Sequence, residues 1–280
     1  NECRHNLIYW QGGRWAGVGP GAHSRLGRQH SAREALAAFD VARSAFERTS
    51  FDLIYARPGQ AVDGWRSELG QAIALHPGHL SLYQLTIEPG TRYFDLHRAG
   101  KLNVPAEELA ADLYIATQEA CDAAGLAAYE ISNHASPGNE CRHNLIYWQG
   151  GRWAGIGPGA HSRLGCANAD RRALTTERMP ERWLGEVEAI GHAVVEDHML
   201  DSGAAADELI LMAMRTSLGL DLAHHAILGG SIDEEKRGQL VDQGLVEIAG
   251  NGARLRLTPS GRLVANAVIT ELAASGPAEN

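Results

Sequence analysis

The alternation of helix-type and strand-type hydrophobic patterns in the first half of the sequence constrains the fold most strongly. A capping box opens a predicted helix over Ser31–Arg48, and the apolar run Phe51–Tyr55 then predicts a buried strand. A second helix is expected over Asp63–Leu75 and a second strand over His79–Ile87. Such a series favours a parallel sheet with right-handed crossovers, as found in a barrel or an open α/β sheet.

The same alternation continues with a predicted helix between Pro105 and Gly125 and a predicted strand over Tyr129–Ser132. Turn signals beginning at Arg57 and Glu88, each followed by Pro-Gly, close the first two strands. These turns lie at the strand ends where α/β sheets and barrels place their ligands, so this edge is the expected location of a binding site.

A second, mainly helical domain is predicted from Cys166 onward. The segments Leu245–Ile248 and Arg254–Leu257 flank a Gly-Asn-Gly turn, which indicates a β-hairpin. Helices followed by such a hairpin are typical of a winged-helix-like fold. The predicted helices cover Glu181–Asp197, Ala205–Ser217 and Asp233–Asp242, and a last one follows Pro259.

Residues 1–27 repeat residues 139–165 at every position except Val18 against Ile156. Solenoid repeats recur about every 20 to 50 residues and diverge in their loops, so this copy is not architectural. Two explanations stay open: a duplication or fusion in the gene, or a chimeric chain joined upstream of Arg28. Both copies cannot occupy one structural position. We interpret 139–165 as the native copy, because it follows the segments against which it is expected to pack.

Composition and charge exclude several classes of function. The formal net charge of -9 disfavours a nucleic-acid partner, and the predicted helix Asp233–Asp242 is too acidic to enter a DNA groove. The longest apolar runs are well short of the roughly 20 residues that a membrane span needs, and no secretory leader is recognised, so a cytoplasmic protein is expected. The four cysteines are too widely spaced for a disulfide framework; they are Cys3, Cys121, Cys141 and Cys166.

Three groups of residues are candidates for chemistry. Asp52, between two apolar residues of a strand, is costly to bury unpaired, so it either pairs with an arginine or contacts a ligand. The glycine-rich segment Gly155–His161 either approaches a nucleoside or phosphate closely or forms a tight loop. The stretch His143–Trp148 (HNLIYW) combines an imidazole with two aromatics, as a haem-binding surface requires; a surface-strand histidine beside core aromatics is the alternative.

Together these segments resemble the superfamily of oxygen-independent coproporphyrinogen III oxidases and HemW-type radical-SAM haem chaperones, and the HemW branch fits best. The resemblance runs from Arg28 to about Leu272. The most specific motifs are FDLIYARPGQ (51–60), HLSLYQLTIEPGT (79–91), YEISNHA (129–135), ECRHNLIYW (140–148) and GIGPGAHS (155–162).

The resemblance implies a partial TIM-like radical-SAM barrel over 28–165 and a winged-helix-like C-terminal domain over 166–280, which follow the N-terminal copy over 1–27 that the repeat defines. It further implies a protein that binds haem and S-adenosylmethionine and supports haem delivery to acceptors such as respiratory enzymes. The residues implied in haem binding are His143, Asn144, Tyr147 and Trp148, with His5 in the copy, and His143 is the candidate iron ligand. The residues implied in S-adenosylmethionine binding are Arg28, Asp52, Thr86 and His161.

One departure from the family is plain in the sequence. Radical-SAM proteins hold a [4Fe-4S] cluster with a Cys-x3-Cys-x2-Cys triplet, and this sequence contains none. We therefore expect haem binding to be possible without reductive cleavage of S-adenosylmethionine. The alternatives are a coproporphyrinogen oxidase-like enzyme and a non-catalytic interaction module. A barrel without its first strands leaves sheet edges unpaired, so a homodimer or aggregate is expected unless the copy covers that edge.

Overall fold

The computed structural model describes residues 32–75, 77–87, 92–165 and 171–273. The N-terminal copy, with His5 and Arg28, lies outside the described residues. The chain divides into two compact units, 1–140 and 141–280. This division is upstream of the predicted boundary at 165/166, where a strand over His161–Leu164 pairs with the next strand, Arg172–Thr176, so that a cut would separate hydrogen-bonded partners.

The first unit alternates helices and strands. Its strands form one four-stranded sheet in the order β1-β2-β4-β3. Strands β1 and β2 are parallel, with Asp52 opposite Ser81, and helix α2 connects them, which confirms the parallel pair that the alternation predicts. The elements are α1 (Ala32–Ala45), β1 (Ser50–Tyr55), α2 (Val62–Ile73), β2 (His79–Gln84), α3 (Arg92–Arg98), α4 (Glu107–Ala123), β3 (Ala127–Ala128) and β4 (Asn133–Ala135).

The predicted strand over Tyr129–Ser132 is wrong. These residues connect β3 to β4, and β4 runs antiparallel to both β2 and β3, so the sheet is mixed. The connection is held by a backbone hydrogen bond from Tyr129 N to Asn133 O at 3.1 Å and by one from Leu82 N to Ser132 O at 2.7 Å. The apolar pattern of the segment therefore reflects burial of a bend against β2.

The core of the first unit lies between the sheet and helices α2 and α4. Its enclosed side chains include Trp65 and Leu69 of α2, Leu80 and Leu82 of β2, and Leu113 of α4, each 0–2% exposed. On the opposite face of the sheet, Asp52 of the edge strand β1 is exposed, whereas its partner Ser81 of β2 is buried.

The second unit contains two three-stranded antiparallel sheets, β5-β6-β7 and β8-β10-β9. The predicted hairpin is confirmed as β9 and β10. The elements are α5 (Arg142–Trp148), β5 (His161–Leu164), β6 (Arg172–Thr176), α6 (Pro180–Ile190), β7 (Val194–Met199), α7 (Ser202–Ala213), β8 (Leu220–Asp221), α8 (Leu222–Ile227), α9 (Glu234–Asp242), β9 (Val246–Ala249), β10 (Arg254–Leu257), α10 (Pro259–Leu263) and α11 (Ala265–Ala273).

The predicted helix over Glu181–Asp197 is too long. Helix α6 ends at Ile190 because Gly191 adopts the left-handed conformation, with φ 84°, and its amide donates to Val187 O. The residues that follow form the edge strand β7 instead. Among the described residues, no helix has the length and apolar character needed to cross a membrane.

Candidate functional site

The HNLIYW stretch forms helix α5, so the surface-strand alternative is wrong. Helical geometry places residues four apart on one face, which brings His143 beside Tyr147. Their rings meet edge to face at 4.8 Å with an interplanar angle of 84°. His143 is exposed, and Asn144, Tyr147 and Trp148 are half-buried. The helix thus presents an accessible imidazole next to a partly enclosed aromatic ring.

Trp153, which follows the helix, extends this aromatic arrangement. Its ring lies 4.4 Å from the ring of Tyr147 at an interplanar angle of 63°. Its indole Nε1 donates to His161 O at 3.1 Å, and its backbone forms an isolated antiparallel bridge with Arg163. We call His143, Tyr147 and Trp153 the aromatic row. Sequence reasoning missed Trp153 because it lies outside the motif and reaches Tyr147 only through the turn after α5.

A charged network anchors the aromatic row to helix α7. The Arg163 guanidinium lies 5.6 Å from the centroid of the Trp153 ring and pairs with Glu208 of α7 at 2.9 Å. Arg171 pairs with the same carboxylate at 3.3 Å and donates to Gly150 O, just after α5, at 2.8 Å. The three charged side chains are 9–20% exposed, so one half-buried carboxylate pairs with two poorly hydrated guanidinium groups.

Burial also affects the phenol of the aromatic row. Partial desolvation raises the pKa of Tyr147, because the charged phenolate is disfavoured away from water. Tyr147 is therefore neutral at physiological pH and acts as an aromatic surface with a hydrogen-bonding group. An exposed imidazole beside neutral aromatic rings fits the chemistry of porphyrin binding, in which a histidine nitrogen ligates iron and ring faces contact the macrocycle.

Asp52 is exposed on β1, so the premise that it is a buried carboxylate is wrong. It lies in register with Ser81 of β2, and Ser81 lies in register with Asn133 of β4, which forms a polar row across three strands. The buried Glu130 accepts hydrogen bonds from Asn133 Nδ2 and from Ser132 N. Burial raises the pKa of Glu130, while these hydrogen bonds oppose the shift. The polar row Asp52, Ser81 and Asn133 is visible only from the register of the paired strands.

The other residues predicted to bind S-adenosylmethionine belong to different parts of the chain. Thr86 is exposed just beyond β2 in the first unit, and His161 is exposed on β5 in the second unit, where Nδ1 lies 3.4 Å from Thr175 Oγ1. Arg28 lies outside the described residues. Contact of Thr86, His161 and Arg28 with S-adenosylmethionine therefore stays a prediction.

The turn beginning at Arg57 borders a shallow, open depression, and a binding site at this edge of the sheet stays a prediction. A groove of about 410 Å³ is lined by Arg57, Gly59, Gln60 and Glu68, and Arg57 pairs with Glu68 of α2. In the second unit, the glycine-rich segment folds onto its own strand. A Cβ on Gly155 would lie 2.2 Å from His161 O, so close backbone packing alone accounts for that glycine.

The cysteines of the described residues are thiols. Cys121 is buried in α4, and burial raises its pKa to about 12, whereas Cys141 is half-buried before α5. Cys3 and Cys166 lie outside the described residues. Within the part of the chain that the structure describes, His, Cys, Asp and Glu side chains form no group of three that could hold a metal ion.

The chain is similar in sequence to heme chaperones and to radical-SAM domain proteins. No family model matches the chain. It is 34% identical over 256 residues to the heme chaperone HemW of Mycobacterium tuberculosis, covering 91% of this chain and 63% of that protein. It is 35% identical over 243 residues to the mouse "Radical S-adenosyl methionine domain-containing protein 1, mitochondrial", covering 82% of this chain and 54% of that one. The chain thus spans about half to two thirds of the length of these relatives.

A solved structure shares the fold. The chain aligns with coproporphyrinogen III oxidase (HemN) from Escherichia coli, a radical SAM enzyme, with a TM-score of 0.69 and 17% identity over 95% of this chain and 65% of that chain. At this identity the match establishes the fold: a mixed α/β arrangement of the radical-SAM type.

Proposed function

We infer that this chain, which is 34% identical to the heme chaperone HemW of Mycobacterium tuberculosis, binds haem through helix α5. The observation that carries the proposal is the His143–Tyr147 pair, in which an exposed imidazole stands 4.8 Å from an aromatic ring on one helix face. His143 is the proposed axial ligand. Tyr147 and Trp148 supply ring surface, and Asn144 supplies a polar group on the same short helix.

Haem in this proposal is a cargo that is passed on. The relative from Mycobacterium tuberculosis is named a heme chaperone, and the role proposed here is haem delivery to acceptor proteins such as respiratory enzymes, in the cytoplasm. An exposed ligand suits a cargo, because an acceptor must reach the iron before the chaperone releases it. The net charge of -9 favours acceptors with basic docking surfaces.

We propose S-adenosylmethionine as a second ligand, contacted by Arg28, Asp52, Thr86 and His161. The exposed Asp52 carboxylate supports this, because a carboxylate can accept hydrogen bonds from ligand donors. The sequence holds no Cys-x3-Cys-x2-Cys triplet for a [4Fe-4S] cluster. The proposal is therefore binding without cleavage of the cofactor by this chain alone.

For the C-terminal region we propose a winged-helix-like module. Helices α8 and α9 precede the β9–β10 hairpin, and β8 completes a small antiparallel sheet, which is the order of elements that such a module needs. A protein partner suits it better than DNA, because α9 begins with Glu234 and Glu235 after an Asp233 cap.

Haem titration of the purified chain tests the central proposal. We expect a Soret band that shifts on binding, and a weaker, displaced band in His143→Ala. His198→Ala is the matched control, since His198 is exposed on β7 of the same unit. An unchanged spectrum on titration of the wild-type protein would remove haem binding from the account.

Anaerobic reconstitution tests the enzymatic alternative. A coproporphyrinogen oxidase-like activity needs a cluster, so iron and sulfide analysis should find about four irons per chain if that alternative holds. We expect far less, because the cysteines are widely separated in sequence and Cys121 is buried.

A further inference from the structure

Trp153 stands outside the HNLIYW stretch, yet its ring meets Tyr147 at 4.4 Å. We propose that Trp153 is a further haem-binding residue, which extends the surface formed by His143 and Tyr147. The inference rests on the proposed haem-binding function and adds to it a residue that the motif does not contain.

The geometry of the aromatic row supports this assignment. The three rings form a row of edge-to-face contacts, with centroid separations of 4.8 Å and 4.4 Å and interplanar angles of 84° and 63°. A porphyrin is larger than any single aromatic side chain, so it contacts several neighbouring rings. Indole offers the largest ring surface of the three, and such contacts contribute beyond the area they bury.

Trp153 also differs from a tryptophan used only for packing. Trp65 of the first unit is 0% exposed and donates its indole N–H to Thr117 inside the core. Trp153 is half-buried, although its indole N–H is bound to His161 O. It therefore keeps accessible surface after its hydrogen-bonding requirement has been met.

The surroundings of Trp153 fix its orientation in advance. Backbone hydrogen bonds of 2.9 Å run in both directions between Trp153 and Arg163, and the Arg163 side chain lies near the ring. Glu208 holds Arg163 and, through Arg171, the carbonyl of Gly150 after α5. A ring held this way loses little conformational freedom when a ligand arrives, which favours binding. Glu208 acts here as a positioning residue.

Haem titration of full-length variants tests the assignment. Trp153→Leu removes the ring and is expected to raise the haem Kd about 3- to 10-fold, the range that one aromatic contact supports. Trp153→Phe keeps a ring and should remain within about twofold of wild type. Trp183→Leu, which alters a half-buried tryptophan of α6 in the same unit, is the matched control and should leave the Kd unchanged.

Titration with metal-free protoporphyrin IX separates ring contacts with the porphyrin from ligation of the iron, because this ligand has no iron for His143 to bind. Trp153→Leu should weaken its binding by a similar factor, whereas His143→Ala should weaken only the iron-containing ligand. A folded Trp153→Leu protein, verified by circular dichroism, that binds both porphyrins like wild type would overturn the assignment. Wild-type protein that binds neither porphyrin would overturn the proposed function itself.

Glu208→Gln provides a second route if Trp153→Leu does not fold. The substitution keeps the shape of the side chain but releases the charge pairs with Arg163 and Arg171. We expect a higher haem Kd and a displaced Soret band, because the Trp153 ring is no longer held. An unchanged Kd and band in this variant would count against Trp153 as a positioned binding residue.

Discussion

The indole Nε1 of Trp65 donates to Thr117 Oγ1 at 2.8 Å, and both residues are at most 1% exposed. This bond joins α2 to α4 across the core of the first unit. The same hydroxyl donates to Leu113 O at 2.7 Å, so one threonine satisfies a buried donor and a helix carbonyl together.

Thr117→Val should destabilise the protein by about 1 to 3 kcal/mol, because it leaves the buried indole N–H without an acceptor. Denaturant unfolding followed by circular dichroism measures the loss. Thr270→Val is the control, since Thr270 makes a similar bond to a helix carbonyl at an exposed position and should change stability by no more than about 0.5 kcal/mol. Equal effects for the two variants would contradict this account of the core.

Stability should fall as the pH drops from about 6.5 to about 4 because of His79. Burial, and secondarily the positive charge of Arg48, lowers the pKa of His79 to about 4, while Glu140 opposes the shift. The ring also contacts Ser50 Oγ at 2.7 Å and Tyr129 Oη at 2.8 Å.

The sign follows from proton uptake. Between the two pKa values the unfolded chain binds a proton at this histidine and the folded chain does not, so acid favours unfolding. His79→Gln should flatten the dependence of unfolding free energy on pH across this window. His198→Gln on the exposed strand β7 should leave the slope as it is. A wild-type slope retained in His79→Gln would assign the effect to other groups.

Gly150→Ala should disturb the attachment of α5. Gly150 has φ +64°, and a Cβ there would lie 2.8 Å from Leu209 Cδ1 of α7, so the variant combines backbone strain with a clash. We expect a loss of about 1 to 3 kcal/mol and weaker haem binding. Gly185→Ala, in α6 with open space around its Cβ position, should be neutral or slightly stabilising. Thermal unfolding and haem titration distinguish the two variants.

The two copies of the HNLIYW stretch should contribute unequally to haem binding. His143 lies in a helix whose aromatic row is anchored by Glu208, and we interpret this second copy as the native one. His143→Ala should therefore lower haem affinity more than His5→Ala, and the double variant should lose most of the shifted Soret band. Greater loss in His5→Ala would assign the function to the N-terminal copy.

The chain should associate with itself in solution. In the described sheet β1 lies at one edge, and it pairs along its length only with β2. Light scattering should show mass increasing with protein concentration. Ile54→Lys places a charge on this edge strand and should reduce self-association. A monomer at all concentrations would show that the edge is covered.

Local signals in the sequence determined much of the fold. Hydrophobic periods and turn residues predicted helices α1, α2, α4, α7 and α9, the first two strands and the final hairpin, because each of these elements buries one face within its own unit. The specific motifs also predicted the resemblance to HemW-type haem chaperones, and the heme chaperone HemW of Mycobacterium tuberculosis is 34% identical over 91% of this chain. Sequence-based prediction was wrong where one hydrophobic pattern fits more than one structure. The bend before β4 was predicted as a strand, and the helix that ends before Gly191 was predicted too long.

Only the tertiary structure decided the neighbours of each candidate residue. Trp153 meets Tyr147 through the turn after α5, and Glu208 reaches Arg163 from a helix far along the chain. The row Asp52, Ser81 and Asn133 depends on the register of three strands. Residue spacing encodes contacts within one element, whereas contacts between elements depend on how their apolar faces pack, which is a property of the whole core.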